Sequence, residues 1–149
     1  MTYLIDTDIL IYSRKGNPIV NSWLQKNKNI PMSISVITLG ELIYGAYKSQ
    51  YPEKSMIAVN HIRNIFPIIE LHQGIIEVFG NIKAKQEKKG QCLADMDLLI
   101  AATALCMNMT LVTNNTKHFS KIENLSLENW AQKYIGKKAL EESKHAADE

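Results

Sequence analysis

The amino-acid sequence predicts an α/β fold, a short parallel sheet covered by helices on both faces. Two observations carry that expectation. Apolar runs rich in β-branched residues alternate with stretches of helical periodicity, the pattern of parallel strands joined by crossover helices. At 149 residues, 46% apolar and 21% charged, the chain has the size and composition of one ordinary domain with a real core. No repeat or linker interrupts it. A single domain is expected over residues 1–132, followed by a polar tail over 133–149, KYIGKKALEESKHAADE, helical or disordered.

The first strand is expected in TYLID, residues 2–6, with a helix in the region of Ile9 to Arg14. Asn17-Pro18 opens a second helix, about Pro18 to Lys26, where proline suits the first turn because its missing N–H had no helical partner to lose. Ile30 to Ser35 reads as a short strand, and Ser35 can cap a helix from Val36 to about Lys48. Another helix spans about Glu53 to Phe66, and PIIEL, residues 67–71, gives a third strand. Ile75, Ile76, Phe79 and Ile82 recur at helical spacing, and KKG ends that helix with Gly90 as its stop. Asp95 to Met107 is the next helix. TLVT, residues 110–113, is a strand, and LSLEN, residues 125–129, a last short one before Trp130.

Bulk properties exclude several classes. No apolar run approaches the roughly 20 residues that span a membrane. No basic segment precedes an apolar stretch at the N-terminus, so no secretory signal is expected. Cys92 and Cys106 lack metal-ligand spacing and read as reduced thiols of a cytoplasmic protein. A net charge of +2 permits a nucleic-acid partner without naming one.

The acids are more informative. Of five Asp residues, four form two D-x-D pairs, Asp6/Asp8 and Asp95/Asp97; the fifth is Asp148 in the tail. Asp6 closes the first strand, and open α/β sheets gather their sites at the carboxyl ends of strands. An unpartnered carboxylate at the end of a core strand is costly. Asp8, in the first turn of the next helix, is explained by the helix dipole. Asp97 lies in line with Ile100, Ala101, Ala104 and Leu105 on the inward stripe, whereas Asp95 fits as the N-cap. Glu41 has Ile37, Thr38, Tyr44 and Gly45 as helical neighbours. Thr38-x-x-Glu41 also matches a capping box, although Ser35 is the better cap. Were Asp6, Glu41 and Asp97 to converge, two carboxylates ~4 Å apart would repel by ~4 kcal/mol at an effective dielectric near 20. Protons or a cation must relieve that, and an all-oxygen donor set suits Mg²⁺ or Mn²⁺.

Four stretches taken in order, LIDTDILIY, VITLGELIYGA, LADMDLLIAATAL and LVTNNTKHFSKIENLSLENW, resemble the PIN-domain ribonucleases of the VapC toxin type, from about Tyr3 to Trp130. The resemblance implies a three-layer α/β/α domain with a short parallel sheet. It also implies a Mg²⁺- or Mn²⁺-dependent endoribonuclease, acting as a toxin neutralised by a cognate antitoxin. Asp6, Glu41 and Asp97 match the family's acids, with Asp6 and Asp97 as direct metal ligands and Glu41 direct or through water. The implied reaction is in-line attack of activated water on an RNA phosphodiester, leaving a 5′ phosphate and a 3′ hydroxyl. The fourth acidic position falls at Asn115, and a further acid of some relatives falls at His118. Both departures remove charge that a second metal would need. Thr7 and Thr113 match polar supporting positions, and Asn115 and Asp95 are further supporting candidates. Arg14 and Lys15 are candidates for RNA contact. A homodimer is expected, with Ile43, Tyr44 and the helix carrying Ile57 and Ile65 as dimer or antitoxin surface.

D-T-D after a strand also resembles the haloacid-dehalogenase-like phosphatases, but these need a downstream Lys and a further acidic pair. After Val112 the sequence offers only Asp148 in the tail and scattered Glu residues. A catalytically silent PIN-like module binding RNA or protein is the alternative that Asn115 suggests. Three retained acids argue against it, since a scaffold gains nothing from their repulsion.

Overall fold

The computed structural model describes residues 1–132; the tail, with its expected helix or disorder, lies outside the described residues. The elements run β1 (Tyr3–Ile5), α1 (Thr7–Arg14), α2 (Pro18–Lys26), β2 (Met32–Ser35), α3 (Val36–Lys48), α4 (Pro52–Ile65) and β3 (Ile68–Ile69). There follow α5 (Gln73–Lys88), α6 (Asp95–Cys106), β4 (Thr110–Val112), α7 (Thr116–Phe119) and β5 (Leu127–Glu128). The expected alternation of strand and helix is present throughout.

The five strands form one sheet in the order β3-β2-β1-β4-β5, and every neighbouring pair is parallel. Tyr3 lies opposite both Met32 and Thr110, and Ile5 opposite Val112. The chain therefore builds outward from β1 in one direction, then returns to build outward in the other. At the β1/β4 boundary the crossovers diverge and leave a crevice beyond the carboxyl ends of the strands. The domain's site is expected there on topology alone.

Strand alternation divides the core between two faces. Tyr3, Ile5, Ile34 and Val112 point to the layer formed by α1–α4, where Ile9, Leu10, Val20, Leu39, Leu42 and Val59 are buried. Leu4 and Leu111 point to the opposite layer, with Ile75 and Ile82 of α5, Leu98 to Ala104 of α6, and Phe119 of α7. α6 is buried on almost every side rather than along one stripe, as a helix wedged between sheet and neighbour must be. Thr103 is tolerated there because its hydroxyl donates to the Leu99 carbonyl at 2.8 Å.

Helix ends follow local chemistry. Asn17 Oδ1 accepts from Ile19 and Val20 N–H ahead of Pro18. Ser35 accepts from Ile37 N–H, so it is the cap of α3 and the Thr38–Glu41 capping box is excluded. Gly90, at φ +67°, ends α5 through two bonds, Gly90 N–H to Glu87 C=O and Gln91 N–H to Gln86 C=O, the paired pattern that needs a left-handed residue. One expected cap is wrong. The N-cap of α6 is Ala94, and Asp95 is the first helical residue, paired on the surface with Lys83 at 2.9 Å. Asp95 is thereby bound to α5 and turned to solvent. The strands are also shorter than their apolar runs, and the four-residue α7 had no periodic signal.

Trp130 closes the domain. It is 1% exposed, stands edge-on to Tyr3 with centroids 4.9 Å apart and stacks on Trp23 at 6.1 Å, joining the end of the described chain to β1 and α2. Trp130→Ala is expected to cost about 3–5 kcal/mol in denaturant unfolding; a loss below about 1 kcal/mol would show that the contact is dispensable.

Candidate active site

Asp6 leaves β1 at the reversal point and is the N-cap of α1, its Oδ1 accepting Thr7 N–H at 2.8 Å. Its Oδ2 accepts the Thr113 hydroxyl at 2.7 Å, across the crevice from the end of β4. Asp6 is nevertheless buried, 8% exposed. Glu41, on the second turn of α3, reaches the same place: the Thr7 hydroxyl donates to Glu41 Oε1 at 3.1 Å and lies 3.2 Å from Thr38 Oγ1. Thr7 thus holds Asp6 by its amide and Glu41 by its hydroxyl. Thr7 and Thr113 thus each hydrogen-bond acids of this crevice.

Asp97 sits on the first turn of α6, half-buried at the lip of the crevice rather than inside the core. Its Oδ2 lies 3.0 Å from His118 Nε2. Burial raises the pKa of Glu41, opposed by the Thr7 hydroxyl and assisted by the charges of Asp97 and Asp8, which places all of these acids within one electrostatic field. Asp6, Glu41 and Asp97 therefore lie within electrostatic reach through Glu41.

Asp8 belongs to the cluster as well, a role beyond the helix-dipole explanation. Its Oδ1 accepts Ile9 N–H at 2.7 Å, while Oδ2 accepts Asn114 N–H at 3.0 Å and lies 3.5 Å from Thr113 Oγ1. No sequence signal joins it to a backbone amide more than a hundred residues away. Asn115, the position expected to match a fourth acid, is exposed, and its N–H donates to Thr113 Oγ1 at 3.1 Å. Asn114 Nδ2 donates to Tyr12 Oη at 3.2 Å.

Arg14 and Lys15 are not brought to the acids. They end α1, about 10 Å along its axis from Thr7 at 1.5 Å per residue. Arg14 instead lines an apolar groove of about 630 Å³ together with Leu10, Leu24, Ile62, Ile65 and Phe66. Nearness in sequence misleads because a helix carries the chain away from its own N-terminus.

The acids strain against one another. Burial, then the charge of Asp8, then that of Glu41 push the Asp6 carboxyl up to about 7, with the Thr113 hydroxyl and Thr7 N–H holding it down. Burial likewise raises Asp8, countered by the bonds from Asn114 and Ile9. Among the described residues, no three His, Cys, Asp or Glu side chains form a ready-made metal cage. Mg²⁺ does not require one, since it keeps several waters and takes one or two protein carboxylates. The donors are hard oxygens crowded in excess of any neutralising cation, and that chemistry fits Mg²⁺ or Mn²⁺.

The PIN domain family matches residues 3–125, and the chain belongs to it. Within that family the likeness is to the VapC ribonucleases. Ribonuclease VapC2 of Haemophilus influenzae is 36% identical over 131 residues, 87% of this chain and 98% of that protein. The tRNA(fMet)-specific endonuclease VapC of Shigella flexneri is 31% identical over 132 residues, 88% and 99% of the respective chains. The structure of VapBC2 from Rickettsia felis, bound to a DNA fragment from its promoter, matches with a TM-score of 0.83 at 36% identity, over 87% of this chain and 99% of that one. VapBC-1 from nontypeable Haemophilus influenzae gives 0.80 at 33%, over 89% and 100%.

The Asp6 shift fixes the sign of a pH effect. A carboxyl raised from 3.8 to about 7 on folding favours the folded state in its protonated form. That contribution is complete below about pH 4 and is lost as pH rises toward 7. In EDTA, Asp6→Asn is therefore expected to gain stability relative to wild type across that window, by thermal melting at stepped pH. Parallel curves from pH 4 to 8 would contradict the strained-carboxylate account.

Proposed function

We propose that the chain is a Mg²⁺- or Mn²⁺-dependent endoribonuclease that acts as the toxin of a toxin–antitoxin pair. The observation that carries the reading is the gathering of Asp6, Asp8, Glu41 and Asp97 at the carboxyl end of the β1/β4 boundary, where their repulsion calls for a divalent ion. Relatives named as ribonucleases and as a tRNA endonuclease support RNA as the substrate, and the VapBC structures support a small antitoxin as the partner.

A bound divalent ion supplies charge neutralisation at the phosphodiester and activation of water. Asp6 and Asp97 would hold it directly, and Glu41 directly or through water. Thr113 and the Thr7 amide fix both oxygens of Asp6, and the Thr7 hydroxyl turns Glu41 toward the same point. Glu41, half-buried with a raised pKa, is placed to take a proton from the attacking water. With Asn115 and His118 at positions where the family resemblance implies acids, the site would hold one ion firmly rather than two. No membrane-crossing helix is present among the described residues.

The apolar groove beside Arg14 and Lys28 has the size and lining that an apolar segment of an antitoxin would cover. Exposed Tyr44, Tyr47, Tyr51 and Ile57 supply a second apolar face for a homodimer. The acids gathered in the crevice weigh against the silent-module reading that Asn115 suggests.

Purified protein is expected to cleave RNA in Mg²⁺ or Mn²⁺, to stop in EDTA, and to lose about 100-fold or more in Asp6→Asn and Asp97→Asn, several kcal/mol of transition-state stabilisation. Equal cleavage by wild type and both variants would mark a contaminating nuclease and remove the enzyme assignment.

A further inference from the structure

Among the described residues His118 is the one histidine drawn into the crevice, and it touches a single acid. Its Nε2 lies 3.0 Å from Asp97 Oδ2. An ionised carboxylate has no proton to give, so the ring nitrogen donates. Asp97 Oδ1 accepts no hydrogen bond among the described residues, which leaves that oxygen free for another partner.

Asp97 needs such a restraint. It stands on the first turn of α6, whose N-cap is Ala94 with no side-chain oxygen. The free amides of that turn attract a first-turn carboxylate back onto its own helix. A half-exposed Asp has two torsions with which to go there. The His118 bond holds it toward the crevice instead.

The ring itself is anchored. It stands edge-on to Phe119, centroids 5.5 Å apart at 83°, and Phe119 is 1% exposed in the core beside α6. The same short segment begins at Thr113, which holds Asp6, and passes through Asn114, which holds Asp8. Residues 113–118 thus grip three acids from two different helices.

We propose that His118 is a positioning residue, whose Nε2–H fixes one oxygen of Asp97 so that the other faces the divalent ion. The proposal rests on the metal-dependent reading above. Hydrogen-bonded partners of ligating side chains typically contribute 10–100-fold in metal affinity, and a conserved-length donor should preserve that contribution.

The test is Mn²⁺ titration calorimetry on the purified chain, with His118→Gln and His118→Asn compared. Gln carries its amide nitrogen at the reach of Nε2, whereas Asn falls short at the reach of Nδ1. Both are polar and suit a half-exposed site, and melting in EDTA confirms that each is folded. His118→Asn is expected to bind Mn²⁺ about 10–100-fold more weakly than wild type, and His118→Gln within a few-fold. In an Asp97→Asn background, His118→Asn should add no further loss. Equal affinities of wild type, Gln and Asn variants would overturn the positioning role while leaving the nuclease reading intact. Absence of Mn²⁺ binding by wild type would overturn both.

Discussion

The crowding of Asp6, Asp8, Glu41 and Asp97 into one partly buried crevice is the constraint around which the rest of the domain is arranged. Nothing apolar draws these side chains together. They are held by donors aimed at them: the Thr7 amide and hydroxyl, the Thr113 hydroxyl, the Asn114 amide and the His118 ring. Hydrogen bonds to charged groups contribute about 1.5–3 kcal/mol each, of the same order as the repulsion of a close pair. Even with those bonds in place, burial and neighbouring charge leave the Asp6 carboxyl raised to about 7. That leaves a site able to gain from binding a cation.

Sheet order explains why the donors and acids can meet. Strands β1 and β4 are adjacent in space but separated by more than a hundred residues, and their crossovers leave in opposite directions. Asp6 and Thr113 follow equivalent strand ends, Ile5 and Val112 being register partners. The Asp6–Thr113 bond is therefore a direct consequence of parallel pairing. Helix direction adds to this. α1 and α6 both begin at the crevice, so the positive ends of their dipoles face the acids and offset part of the strain. Two apolar layers, one on each sheet face, keep those helices from drifting.

Much of this was legible in the sequence because it follows from period and position. The alternation of runs gave the layered α/β class, and Asp6 at a strand end and Asp97 at a helix start could be singled out by where they stood. What stayed hidden depends on contacts between distant segments. Asp95 suits the cap by its side-chain oxygen, yet Lys83 on α5 pairs with Asp95 at the surface and Ala94 takes the position. Asp8 gave no sign of its bond to Asn114. α7 is too short to show a period, and His118 rides on it. Arg14 looked close to the acids only because eight residues of sequence hide a helix that leads away from them.

The central claim is that these carboxylates surround one hard divalent ion, and anomalous diffraction from crystals soaked in Mn²⁺ near pH 7.5 tests it most directly. The account predicts a single strong peak in the β1/β4 crevice, within ordinary coordination distance, about 2.0–2.3 Å, of oxygens from Asp6 and Asp97. A crevice with no peak, or manganese bound only at surface carboxylates such as Asp95, would contradict it.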